Sequence, residues 1–148
     1  NCHDGGVHTV QWNPFSDNSH LLMTAGMDPV IKIFDLRFLR VPGAGVHTVT
    51  AAPMPVAVHE FRGHASSNVK KFKSIIPPTW LSAHAVLAAG QGSTKMSIYS
   101  TVTGKAVSRG DVRVEMSGCV VQPYAGAAGG GAAVYAASRG EIYCLDAT

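Results

Sequence analysis

MDPVIKIFDLR, residues 27–37, opens on an Asp-Pro turn and closes on Phe34-Asp35-Leu36-Arg37. Between them Ile31 and Ile33 fall on one side of an extended chain and Lys32 on the other, since the side chains of a strand alternate between faces. Short runs of the same kind, bounded by Gly, Pro, Asn and Asp, recur along the chain. VHTVQW (7–12), HLLMTAG (20–26), VIKIFDL (30–36) and AVHEFRG (57–63) form a first group. NVKKFKSII (68–76), HAVLAAG (84–90), KMSIYST (95–101) and KAVSRG (105–110) form a second. RVEMSGCVV (113–121), AAVYAAS (132–138) and EIYCLDA (141–147) form a third. Helical periodicity is hard to find, so the pattern predicts an all-β protein of antiparallel meanders.

The groups repeat one another. LMTAG then IKIFD, LAAGQ then MSIYS, and YAASRG then IYCLD align strand for strand. Closing positions at Asp35, Ser100 and Asp146 are spaced by 65 and 46 residues, and openings at His3, His64 and Asp111 by 61 and 47. The shorter spacings sit near the ~40–45 residues of a four-stranded propeller blade. The longer ones exceed that period by roughly twenty, which matches FLRVPGAGVHTVTAAPMPVA (38–57) inserted between a third and a fourth strand. The expected units are blade one at 1–63 with this insertion, blade two at 64–110, and blade three at 111–148 without its last strand.

Composition narrows the function classes. The chain has 148 residues, enough for one sizeable core, with 46% hydrophobic and 14% charged residues. That is too apolar for disorder, and no apolar run approaches the ~20 residues of a bilayer span. The net charge of +3 permits an acidic partner but falls short of the basic density of a nucleic-acid binder. Three cysteines without close spacing argue against a disulfide framework and suit a reducing, intracellular compartment, cytoplasmic or nuclear. The chain opens on Asn1 rather than Met, as a fragment or a trimmed chain does.

No catalytic constellation is visible. Seven His and three Cys supply raw material, but none has metal or nucleophile spacing, and Cys2-His3 is adjacent rather than spaced. GQGSTK (90–95) lies between two strands with no helix N-terminus to hold an anion, so it reads as a β-turn. No cofactor and no enzymatic activity are expected. In KKFK (70–73), Lys70, Lys71 and Lys73 point outward along a strand while Phe72 points to the core, or they form a basic contact patch. Pro77-Pro78-Thr79-Trp80 reads as a stiff loop whose Trp80 either meets a partner on a rim or packs beneath the loop. The insertion 38–57, with three prolines and two glycines, is either a recognition loop or disordered.

Several stretches carry a family resemblance. CHDGGVHTVQWNP (2–14) resembles the opening of a WD40 repeat, FRGH (61–64) its Gly-His signature, and TAGMDPVIKIFD (24–35) its body. The resemblance implies a β-propeller in which a buried His, Ser/Thr, Asp and Trp form a hydrogen-bonded chain within each blade. On this sequence His3, Thr24 and Asp28 match, whereas Phe34 replaces the Trp and cannot donate. Ser93 and Arg139 stand where later repeats would carry the turn Asp, so those repeats are worn. Propellers close with about 4 to 8 blades. Three blades therefore resemble the C-terminal part of a larger, seven-bladed ring, and taken alone they would expose apolar faces and self-associate through blade edges.

The form Phe-Asp-Leu-Arg is similar to the Trp-Asp-x-Arg motif of WD40 substrate receptors of cullin-4 ubiquitin ligases. There the Arg lies on the propeller rim and contacts the ligase adaptor, which makes Asp35 and Arg37 the candidate adaptor-binding residues. The order of features over residues 21–148 resembles the factor-4-like branch of the cullin-4-associated factors, from the IKIFDLR blade to a terminal SRGEIYCL hairpin. The implied role is a protein–protein scaffold binding an adaptor and a substrate. The alternative is a structural subunit of a large ribonucleoprotein or cytoskeletal assembly, contacted through KKFK and the long loops. Folding alone accounts for the rest of residues 27–37 and leaves Arg37 without a structural task.

Overall fold

The computed structural model describes residues 2–38, 56–64, 76–90, 94–111, 115–116, 118–123 and 132–146. These form three antiparallel sheets. The first takes β1 (Val7–Trp12), β2 (Leu21–Gly26), β3 (Val30–Asp35) and β4 (His59–Arg62) in sequence order. The second takes β5 (Thr79–Ser82), β6 (Ala85–Ala89), β7 (Lys95–Ser100) and β8 (Ala106–Asp111) in the same way. The third holds β9 (Gly118–Pro123), β10 (Ala132–Ser138) and β11 (Glu141–Asp146), with β10 in the middle. Each sheet is a meander whose consecutive strands are hydrogen-bonded neighbours. Every pairing is therefore local, and each sheet has the form of a propeller blade.

Alternation decides which face of each sheet is buried. The rungs Thr9–Ala25–Ile31–Phe61 and Gln11–Met23–Ile33–His59 point to one side of the first sheet. There Met23, Ile31 and Ile33 are fully buried. They pack against Trp80, Val86, Ala88 and Tyr99 from one face of the second sheet. Its opposite face supplies Leu87, Ala89 and Met96 to a second core with Met116, Val134 and Ala136. Each such fully buried aliphatic side chain contributes about 1.5–3 kcal/mol relative to exposure. The two cores stack the three sheets face to face like adjacent blades. The faces at either end of the stack are open, with Val10 and Trp12 about 60% exposed on the first sheet. Ile142 is exposed on the third.

Polar groups knit the first two blades at one end. Asn13 and Asn18 each donate an amide N–H to the Ala83 carbonyl, at 3.0 and 2.9 Å. Nearer the other end of the strands, the Tyr99 hydroxyl donates to the Arg62 carbonyl at 2.8 Å. In blade three, Arg139 and Gly140 both adopt positive φ (47° and 86°) in the two-residue turn between β10 and β11. That is the turn geometry whose twist suits a tight hairpin.

Two sequence expectations need correction. Thr79 and Trp80, read as a stiff loop, begin strand β5. The Pro77-Pro78 pair lies just ahead of the strand, where a missing N–H costs no ladder bond. The strand expected over 113–121 is described only from Gly118, preceded by a buried Met116. The expected strand 68–76 falls outside the described residues except for Ile76, which is buried. Most of the insertion 38–57 also lies outside them.

Candidate functional site

Blade one brings together the three residues of the expected internal network. His3 is buried at the entry to the blade, with Nδ1 2.7 Å from Asp28 Oδ1 and Nε2 2.8 Å from Thr24 Oγ1. A carboxylate can only accept, so Nδ1 donates to Asp28, and Nε2 pairs with the Thr24 hydroxyl, which can donate or accept. Asp28 also accepts the Asp4 backbone N–H at 3.0 Å, fixing the turn before β3. The ring lies directly over the Gly26 backbone. A Cβ there would come within 2.7 Å of His3 Cβ and Cγ and 2.8 Å of Asp28 Oδ1, so only glycine admits the arrangement. Phe34, 4% exposed, stands where the resemblance to a WD40 repeat would place a Trp, and supplies bulk and no donor.

At the opposite end of β3, Asp35 leads into a short 3-10 turn, Leu36–Phe38. Its carboxylate is buried and faces the Arg37 guanidinium two residues on. Nε donates to Oδ1 at 3.0 Å, Nη2 to Oδ2 at 2.6 Å, and the Arg37 backbone N–H to Oδ1 at 3.0 Å. The Arg37 hydrogen bonds hold the Asp35 carboxyl below the usual carboxylate range, and burial opposes them only in part. Arg37 itself is raised by the same hydrogen bonds. Arg37 thus has a structural task, contrary to the expectation from sequence: it closes the turn by neutralising a buried carboxylate. Its side chain is nonetheless 62% exposed, with the guanidinium carbon 5.9 Å from the centre of the exposed Phe38 ring. The fork is therefore held rigid on one side and offered to solvent on the other.

Beside this pair a cleft of about 270 Å³ opens between blades one and two. Asn18, His20, Asp35, Arg37, His59 and His84 line it, with the Leu21, Val58 and Val102 side chains as apolar wall. His20 Nε2 stands 3.8 Å from Asp35 Oδ2. Asn18 Nδ2 contacts His84 Nδ1 at 3.0 Å while also donating to Ala83 O. The turn joining β7 to β8 approaches so closely that a Cβ on Gly104 (φ +69°) would sit 2.7 Å from His59 Nδ1. Sequence reasoning did not group these histidines. They come from loops and strand ends of two sheets, and no spacing along the chain links them.

The remaining candidates lie elsewhere. Trp80, weighed as a rim contact, is 4% exposed in the core between blades one and two. Its indole is therefore a packing element, which removes it from the contact surface. Lys70, Lys71 and Lys73 fall outside the described residues. His64, the histidine of the Gly-His pair, is largely buried, and its Nδ1 has no hydrogen-bond partner among the described residues. Burial pushes its pKa down to about 4, with a smaller push from His8. Among the described residues no group of three His, Cys, Asp or Glu could hold a metal ion. None of the described helices is long and apolar enough to cross a membrane.

No family model matches the chain. A 63-residue stretch is 35% identical to WD-40 repeat-containing protein MSI4 of Arabidopsis thaliana, covering 43% of this chain and 10% of that protein. Among solved structures, a chain of the mitotic checkpoint complex superposes with a TM-score of 0.56 at 13% identity. The superposition covers 97% of this chain and 40% of that one. The Cps50 (Swd1) β-propeller domain of Myceliophteria thermophila superposes at 0.55 and 17%, covering 99% and 39%. The fold is three blades of a β-propeller. The chain spans less than half the length of either of these chains, so its three blades match a part of each. The His3–Thr24–Asp28 network is internal to the first blade, and Asp35 and Arg37 lie where the third strand gives way to the connection to the fourth.

Proposed function

We propose that this WD40-type propeller is a non-catalytic scaffold that binds other proteins, and that Arg37 is its principal contact for a cullin-4 ligase adaptor. The observation that supports this reading is the state of Arg37: two donors anchor it to buried Asp35 while most of the side chain remains exposed. An anchored guanidinium loses little side-chain entropy on binding, which is how arginine comes to dominate small contact areas. A seven-bladed parent with blade boundaries near 1–63, 64–110 and 111–148 belongs to the same proposal. The structural neighbour from the mitotic checkpoint complex is itself a chain in a multiprotein assembly, in keeping with a scaffold role.

The test is co-purification of the full-length protein with the adaptor, wild type beside Arg37→Ala. Recovery with the wild type and a loss of about tenfold or more with the variant are expected. Equal recovery, or none in either case, would remove the adaptor assignment.

A further inference from the structure

We infer that the cleft between blades one and two receives a carboxylate side chain from an acidic segment of the partner. This rests on the reading that the rim at Arg37 is a protein contact, and it names the chemistry of the group that enters. The lining is rich in donors and poor in free negative charge. Its single carboxylate, Asp35, is buried and already neutralised by Arg37. Among the described residues Arg37 Nη1 has no partner, so the fork has a further donor beyond Nε and Nη2.

The histidine protons can be placed by elimination. Asn18 Nδ2 donates to the Ala83 carbonyl, which can only accept, and this fixes the orientation of the amide. The same Nδ2 meets His84 Nδ1, which must then be an acceptor. The neutral ring therefore carries its proton on Nε2, as a donor on the wall of the cleft. His20 reaches towards Asp35 Oδ2 through Nε2, and the His59 ring lies beside the Gly104 turn. An incoming carboxylate would thus find Arg37 and His84 as donors, and apolar surface from Val58 and Val102 for its methylenes.

Size and charge select the occupant. At about 270 Å³ the cleft lies just under the about 300–1,000 Å³ of small-molecule sites. It suits one side chain. It offers one permanent cation, already half engaged, which matches a singly charged carboxylate better than the near-double charge of a phosphate group.

The experiment uses the full chain and no adaptor. A peptide of alternating Glu and Gly, blocked at both ends, is titrated against protein with labelled histidines, and its Gln–Gly counterpart is the control. Saturable shifts of the His20, His59 and His84 imidazole signals with the Glu peptide alone are expected. Arg37→Gln should abolish them, and His84→Leu, which replaces a solvent-exposed ring with a side chain that cannot donate, should weaken binding about five- to tenfold, the loss of one donor. Equal shifts with both peptides, shifts confined to other histidines, or undiminished binding by folded Arg37→Gln would overturn the inference. Tighter binding of a phosphoserine peptide would also overturn it. Failure of the peptide while the adaptor still depends on Arg37 sinks this inference and leaves the scaffold reading standing. Peptide binding with no adaptor recovery removes the adaptor assignment and leaves this inference standing.

Discussion

Blades one and two each open on a histidine and treat it in opposite ways. In blade one His3 has both nitrogens bonded, to Asp28 and Thr24, and Gly26 clears the space for its ring. In blade two the repeat places Ala88 at the position of Thr24, and His64 Nδ1 has no partner among the described residues. Blade two relies on apolar packing instead, through Trp80, Val86, Ala88 and Tyr99 on the face of blade one. The aromatic position differs as well: Phe34 offers no donor, whereas Tyr99 uses its hydroxyl to bond Arg62 across the blade boundary. Where a repeat loses its internal network, contacts to the neighbouring blade carry more of its stability.

The comparison can be broken by mutation. His3→Ala should be the most damaging substitution, since it removes a hydrogen bond from each of Asp28 and Thr24 and opens a void, costing about 2–4 kcal/mol. His64→Phe, which removes an unpaired nitrogen while keeping the ring, should be near neutral at pH 7. Parallel denaturant titrations of the two variants give the answer, and equal losses would erase the distinction.

Acid comes next in size. His64 binds its proton at about pH 4 in the fold against the ordinary 6.5. The unfolded chain therefore holds more protons between those values, and stability falls as the pH drops from about 6.5 to 4. The full loss is about 3 kcal/mol for this group. His64→Phe should flatten that slope. Asp35 acts in a lower window: its depressed pKa contributes stability above the usual carboxylate value and loses it as the pH falls below about 4. A melting series across pH 3–8 separates the two.

Gly26→Ala should cost about 1–3 kcal/mol by driving a methyl into the His3 ring. Its effect should largely vanish in a His3→Ala background, a coupling that a double-mutant cycle measures directly. Gly104→Ala is the mildest, about 1–2 kcal/mol from positive φ and the contact with His59. It should also perturb the His59 imidazole signal.

Much of the fold was legible because its determinants are local. Alternation around Ile31 and Ile33 and the Asp-Pro turn placed β3, and the recurrence of that pattern placed its counterparts. The chain went unread where local signals competed. Pro77-Pro78 looked like the start of a loop because proline breaks ladders, yet a proline just ahead of a strand breaks none. Arg139 looked like a worn turn residue, and its φ of 47° shows it serving a tight hairpin with Gly140. The pairing of Asp35 with Arg37 spans two residues and was within reach of sequence reasoning. The cleft was not, because Asn18 and His84 meet only when two sheets stack, across 66 positions of chain.

The most direct measurement is quantitative binding of the purified adaptor to the full-length protein, with wild type, Arg37→Ala, Arg37→Lys and His64→Phe compared at equal folded concentration. Arg37→Ala should lose about tenfold or more in affinity, and Arg37→Lys, which keeps charge but not the fork, should recover only part of it. His64→Phe should bind like wild type. Wild-type affinity in a folded Arg37→Ala protein would contradict the central claim.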